Sequence, residues 1–185
     1  MARKSSQVQG EQIWNQSEKV NAELFAFTYG SLVVKLIREL ENISEVNRQL
    51  ETMGYNIGLR LIDDFLSKND VTCETTKDTA EVIAKTGFRM YLGVTCDVTN
   101  WNADENEFSL ILADNPLTEF VELNEDYRDL KYLNLLCGVI RGALEMVRIK
   151  SVCTLERDSL KGDEFTELRV VIKEKVQDEY EPDDD

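Results

Sequence analysis

The chain has 185 residues, 42% of them apolar, with two prolines and a net charge of −15. A chain of this length buries roughly 70% of its unfolded surface in one domain and needs no staples, and its acid excess leaves no basic surplus to neutralise nucleic-acid phosphates. It contains no histidine, which excludes a Ser-His-Asp triad, a Cys-His dyad and a histidine-ligated zinc within the chain.

Residues 1–20 are polar and expected to be flexible, with Trp14 the residue there fit to dock. They lack the apolar run of a secretory signal, and no stretch of about 18 apolar residues follows, so the expectation is a cytosolic protein with reduced thiols. Leu32, Val33, Leu36, Ile37 and Leu40 recur at helical spacing and predict a helix over 22–41. Asn42 and Ser44 offer a break and a new N-cap. Val46, Leu50, Met53, Ile57, Leu61 and Phe65 then predict a second helix over 44–67, widened by Leu59, Ile62 and Leu66 and therefore largely buried. Gly54 and Gly58 share one face of it. Each costs about 1 kcal/mol relative to alanine, and the return is close approach of another backbone, from either a partner chain or a neighbouring internal helix.

The polar loop DVTCETT (70–76) carries Cys73. A third helix is predicted over 78–92, with Ala80, Ile83, Ala84, Gly87 and Tyr91 on one stripe. Small residues at its centre either admit a neighbouring helix or leave a channel. Residues 97–107 read as polar loop. Phe108 to Leu112 reads as a strand, ended by Asn115-Pro116, with Phe120 to Leu123 placed beside it. A fourth helix is predicted over 129–147, its buried side including Tyr132, Leu136, Ile140 and Leu144, and Gly138 and Gly142 repeat the glycine spacing. Two strands around Cys153 and Val170, joined through a Gly162-Asp163 turn, close a hairpin. Grouped long helices, about four, with a small antiparallel sheet of about four strands make an α+β fold. The tail QDEYEPDDD has six acids in nine residues.

Phosphate-loop, dinucleotide, nucleophile-elbow and zincin motifs are missing. Asp63 and Asp64 read as helix-surface acids with Arg60 as their partner, ahead of acid–base catalysis. No pair of the four cysteines has CxxC spacing, and Cys137 and Cys153 fall on apolar faces. Cys73 differs in being reachable. On the residues alone it is either an ordinary loop thiol or a functional one, and Glu74 opposes the activation that the following helix dipole offers.

LFAFTYGSLV (24–33), MGYNIGLRLIDDFL (53–66), FSLILADNPLTEFVEL (108–123), GVIRGALEMV (138–147) and LKGD (160–163) stand in order and at the right spacing. Together they resemble the Bet-three-type subunits of TRAPP, the tethering and Rab-exchange complex of the early secretory pathway. The resemblance implies a single domain over 21–176 between a flexible lead (1–20) and an acidic tail (177–185), with pairing into homodimers through helical faces. It implies palmitate on Cys73, its chain in an internal tunnel lined by Gly87, Ile83 and Ala84. Burial at about 0.8 kcal/mol per methylene gives such a chain on the order of 10 kcal/mol. Thr72 stands where the family carries a basic residue, so that cation's help to the thiolate is lost. The tail acids Asp183, Asp184 and Asp185 match those that approach the GTPase nucleotide pocket.

The implied role is a non-catalytic subunit with no metal and no required cofactor, bound to other TRAPP subunits and to a Rab GTPase within the complex. It would be peripheral to cis-Golgi and endoplasmic-reticulum membranes, in ER-to-Golgi transport. A stand-alone lipid- or small-ligand-binding module is the alternative, although the fold's likeness to haem-based sensors lacks its histidine ligand here. A cysteine acyltransferase ranks last, for want of a histidine base.

Overall fold

A computed structural model of the chain describes residues 5–69 and 71–175. The helices are α1 (Ser6–Gln16), α2 (Ala22–Leu40), α3 (Ile43–Lys68), α4 (Thr76–Glu81), α5 (Phe88–Leu92) and α6 (Asn134–Met146), and a π-helical turn (Val82–Gly87) joins α4 to α5. The strands are β1 (Asp97–Thr99), β2 (Glu107–Leu112), β3 (Ile149–Arg157) and β4 (Thr166–Lys175). All pairs are antiparallel, in the order β1-β2-β4-β3.

One sheet face is the core floor. Phe108 lies opposite Val170 and Leu110 opposite Leu168, and Cys153 faces Val170 from the other side. All of these are buried, and Val46, Leu50, Ala80, Ala84, Leu136 and Ile140 cover them from the helices. The opposite face carries a polar network beside Ile111, Val152 and Val171: Arg169 donates to Glu107 Oε1 at 2.7 Å, Ser109 Oγ at 2.9 Å and the Asn100 carbonyl at 2.6 Å.

The helical layer turns on the crossing of α3 and α6. A Cβ on Gly54 would collide with the Leu135 carbonyl, and one on Gly58 would lie 2.8 Å from Ala143 N. From the other side, a Cβ on Gly138 would lie 2.7 Å from Tyr55 N, and one on Gly142 3.0 Å from the Tyr55 carbonyl carbon. The four glycines thus let two backbones touch within one chain. Asn47 sets their register: its Nδ2 donates to the Asp129 carbonyl at 2.9 Å, its Oδ1 accepts Lys131 N at 2.7 Å, and its own carbonyl accepts Asn134 Nδ2 at 2.9 Å. Arg141 adds a 3.2 Å ion pair to Glu51 and stacks over the Tyr55 ring at 4.3 Å.

The structure corrects four expectations from the sequence. Within residues 1–20, Ser6–Gln16 is a docked helix. The fourth long helix starts at Asn134, since 129–133 is a turn tied to Asn47, with Tyr132 and Leu133 buried in it. Residues 120–123 form turn and coil, and the neighbour of β2 is β1, drawn from the stretch read as polar loop. Asp64 pairs not with Arg60 but with Lys68 at 2.6 Å, and it accepts the Tyr91 hydroxyl at 2.9 Å.

Alanine at Gly54 or Gly142 gains helix propensity but forces two backbones apart, and overpacking of that kind costs about 1–3 kcal/mol. Thermal unfolding of Gly142→Ala is therefore expected about 3–10 °C below wild type. Gly30→Ala, where the new Cβ meets only Tyr132 Oη at 3.5 Å, is expected to hold or raise the midpoint.

Candidate functional site

Cys73 lies in the loop between α3 and α4 and is exposed, whereas Cys96, Cys137 and Cys153 are buried; none of the four is in a disulfide. The loop is pinned at both ends. At its start Asn69 caps α3, its Nδ2 donating to the Phe65 carbonyl at 2.7 Å. At its end Thr75 and Asp78 form a capping box: Thr75 Oγ1 accepts Asp78 N at 3.1 Å, while Asp78 Oδ2 accepts Thr75 N at 2.9 Å and Glu74 N at 3.2 Å. The residue after Cys73 is thereby tied into the first turn of α4. Between these anchors Val71 packs with Phe65, Val82, Met90, Ile62, Tyr91 and Ile13 in a small apolar cluster separate from the main core.

Helix α4 leads into the residues expected to line a tunnel. Ala80 and Ala84 have no exposed surface and belong to the main core, and Ile83 packs against it. Gly87 is half-buried, and a Cβ there would meet only the Val82 carbonyl, at 3.8 Å. The π turn was not legible in the sequence. Phe88 N–H bonds the Ile83 carbonyl, five residues back, and the Ala84 carbonyl accepts Cys96 N at 3.0 Å. The widened turn therefore links this helix to the segment entering β1. Turns of this kind concentrate at functional sites. Asp183, Asp184 and Asp185 lie outside the described residues.

Among the described residues there is no cluster of three or more acidic or cysteine side chains fit to hold a metal, and no helix is long and apolar enough to cross a membrane. A groove of about 600 Å³ runs along the outer side of α2, lined by Phe27, Gly30, Val34, Arg38, Phe120 and Val121 among others. Phe27 and Phe120 stack across it with ring centres 5.1 Å apart. Leu24, Phe25, Phe27, Val34 and Phe120 are all exposed, by 45–65%, a patch of the kind that marks an interaction surface.

Burial pushes the Cys96 thiol well up, only partly offset by Lys85. The Cys153 thiol is raised first by its hydrogen bond with Cys137 and then by burial. A raised thiol pKa leaves less thiolate at pH 8 than an ordinary thiol has, and the thiolate is the nucleophile. Folded protein freed of any acyl group by hydroxylamine is expected at pH 8 to consume one equivalent of an aromatic disulfide reagent rapidly. That equivalent should vanish in Cys73→Ser, and three more should appear only on unfolding. Raising the pH to 9.5 should leave Cys96 and Cys153 slow.

The family model for the transport protein particle (TRAPP) component matches residues 25–171. The chain is 50% identical over 171 residues to trafficking protein particle complex subunit 3 of Dictyostelium discoideum, covering 91% of this chain and 92% of that one. It is 44% identical over 180 residues to trafficking protein particle complex subunit BET3 of Saccharomyces cerevisiae, covering 95% and 93%. The fold superposes, with a TM-score of 0.82 and 48% identity, on the crystal structure of a trafficking protein particle complex subunit 3 from Naegleria fowleri covalently bound to palmitic acid, covering 86% of this chain and 99% of that one. The chain therefore belongs to the TRAPP component family.

Proposed function

We propose that this chain is a non-catalytic subunit of a TRAPP complex in ER-to-Golgi vesicle transport, and that Cys73 carries a palmitoyl thioester whose chain turns inward along Ile83, Ala84 and Gly87. One observation carries the acyl assignment: the exposed thiol stands three residues before a helical segment whose buried side carries the small residues Ala80 and Ala84. The palmitate on the Naegleria relative supports it. The gain from burying the chain, on the order of 10 kcal/mol at about 0.8 kcal/mol per methylene, makes it a core element and not a membrane anchor. Membrane association is then peripheral and comes through the complex, whose other subunits must supply the cations that a chain of net charge −15 lacks.

A Rab GTPase is the expected client of the assembled complex. Exchange needs no bond chemistry here: a surface that binds the nucleotide-free GTPase better than the loaded one lowers nucleotide affinity by the same factor. The tail acids Asp183, Asp184 and Asp185 would act there by competing with phosphate. The exposed apolar side of α2, with Phe27, Val34 and Phe120, is the face proposed for pairing with a second copy or with a sister subunit.

Intact mass of protein from its native source tests the acyl site. A palmitoyl increment is expected, removed by hydroxylamine, absent in Cys73→Ser and diminished in Gly87→Leu. An unmodified mass with no lipid on native extraction would overturn it, and a non-covalent ligand would favour the stand-alone binding module. The purified chain alone is expected to give no nucleotide exchange. For the pairing face, Val34→Glu is expected to shift sedimentation from dimer towards monomer while leaving the circular dichroism unchanged.

A further inference from the structure

Helix α1 lies ahead of the family-matched residues, yet it packs on the same segment that forms the proposed acyl wall. Gly10 sits so close to that wall that a Cβ there would collide with the Lys85 carbonyl and lie 3.1 Å from Thr86 Cα. The fully buried Thr86 donates its hydroxyl to the Ser6 carbonyl at 2.9 Å. Arg89 on α5 pairs with Glu11 at 3.1 Å and lies 5.2 Å from the centre of the Trp14 ring. The Trp14 ring in turn covers Gly93, the left-handed residue that ends α5. Ile13 joins the small cluster that also holds Val71, two residues before Cys73. One short helix therefore touches the wall, its end cap and the cluster that anchors the cysteine loop.

The hold is reversible by construction. A lone helix shorter than about 12–15 residues is marginal in water. Helix α1 has 11 residues, of which only Gly10 is buried, so its docked state rests on the contacts just described. Segments with few buried contacts open first.

We propose that α1 is a strap over the acyl site: docked, it holds the Cys73 loop and the Val82–Leu92 wall closed, and undocked, it loosens both together. The effect on the acyl chain rests on the reading of Cys73 given above, while the effect on the loop and wall does not. The strap makes retention of the chain depend on a segment outside the tunnel itself, which a partner or modification at residues 6–16 can release.

Hydrogen exchange of the full-length chain tests this with Gly10→Val, which forces α1 off the Lys85 carbonyl, and with Trp14→Ala, a milder change that keeps the test open should the first variant misfold. Exchange is expected to rise in 6–16 and, by at least about threefold, in 71–75 and 82–92 together, with the sheet unchanged. The proposal is overturned if α1 exchanges faster while 71–75 and 82–92 stay as in wild type. It is also overturned if Gly10→Val leaves α1 protected, since the backbone contact would then not hold the helix. Hydroxylamine cleavage of the thioester is expected to speed several-fold in the same variants, and an unchanged cleavage rate on a loosened wall would sink the acyl half of the proposal. An unmodified wild-type mass would remove the acyl reading alone and leave hydrogen exchange to judge the strap.

Discussion

The backbone contact between α3 and α6 is the constraint on which the rest of the molecule depends. Glycines at 54, 58, 138 and 142 each forgo a side chain where the other helix's backbone passes, at about 1 kcal/mol of helix propensity apiece. The return is a thin, rigid helical pair. Because α3 is held flush against α6, Val46 and Leu50 on the same buried stripe as its glycines reach the core, while Leu136, Ile140 and Leu144 of α6 face the same core. Interiors packed to crystal density transmit position well, so the end of α3, and with it the start of the Cys73 loop, inherits a definite place.

Two cores of different character follow. The main one joins the sheet to α2, α3, α4 and α6 and includes the buried Ala80 and Ala84. The second holds only Phe65, Val82 and Met90 as buried members, with Ile13, Ile62, Val71 and Tyr91 around them. The exposed thiol sits beside the smaller and less redundant of the two. That division suits a reactive position: stiffness resides in the crossing and the sheet, and adjustability in the loop and its satellite cluster. The π turn lies at the boundary. Val82 belongs to the satellite and Ala84 to the main core within one helical segment.

Much of the fold was legible from periodicity. Observed helices at Ala22–Leu40 and Ile43–Lys68 agree with those expected at 22–41 and 44–67, and Phe108, Leu110 and Leu112 alternate into the core as a strand should. The misses share a cause. Helix α1 carries too few apolar residues to show a stripe, because its contacts are a glycine, a backbone carbonyl, an ion pair, one ring and the single aliphatic Ile13. Strand β1 is three residues long and half-exposed, so it exists only because β2 is there to pair with it. The turn at 129–133 buries Tyr132 and Leu133 at helical spacing without being helix, since Asn47 takes up the backbone groups that a helix would have used. Cys73 stood out by its loop position, whereas Val71 and Ile13, which hold that loop, lie far apart in sequence and gave no signal.

By itself the sequence determined which segments are amphipathic, where the chain turns, that histidine chemistry is absent, and which thiol stands outside an apolar face. These are local properties, set by side-chain spacing within one or two turns of a helix or along one strand. Tertiary structure alone decided that the paired glycines meet each other inside one chain, that α4 and α5 are joined by a π turn, and that α1 lies across that joint. Each of these depends on backbone surfaces brought together from distant parts of the chain, and a close approach of backbones leaves in the sequence only the missing side chains, never the identity of what fills their place.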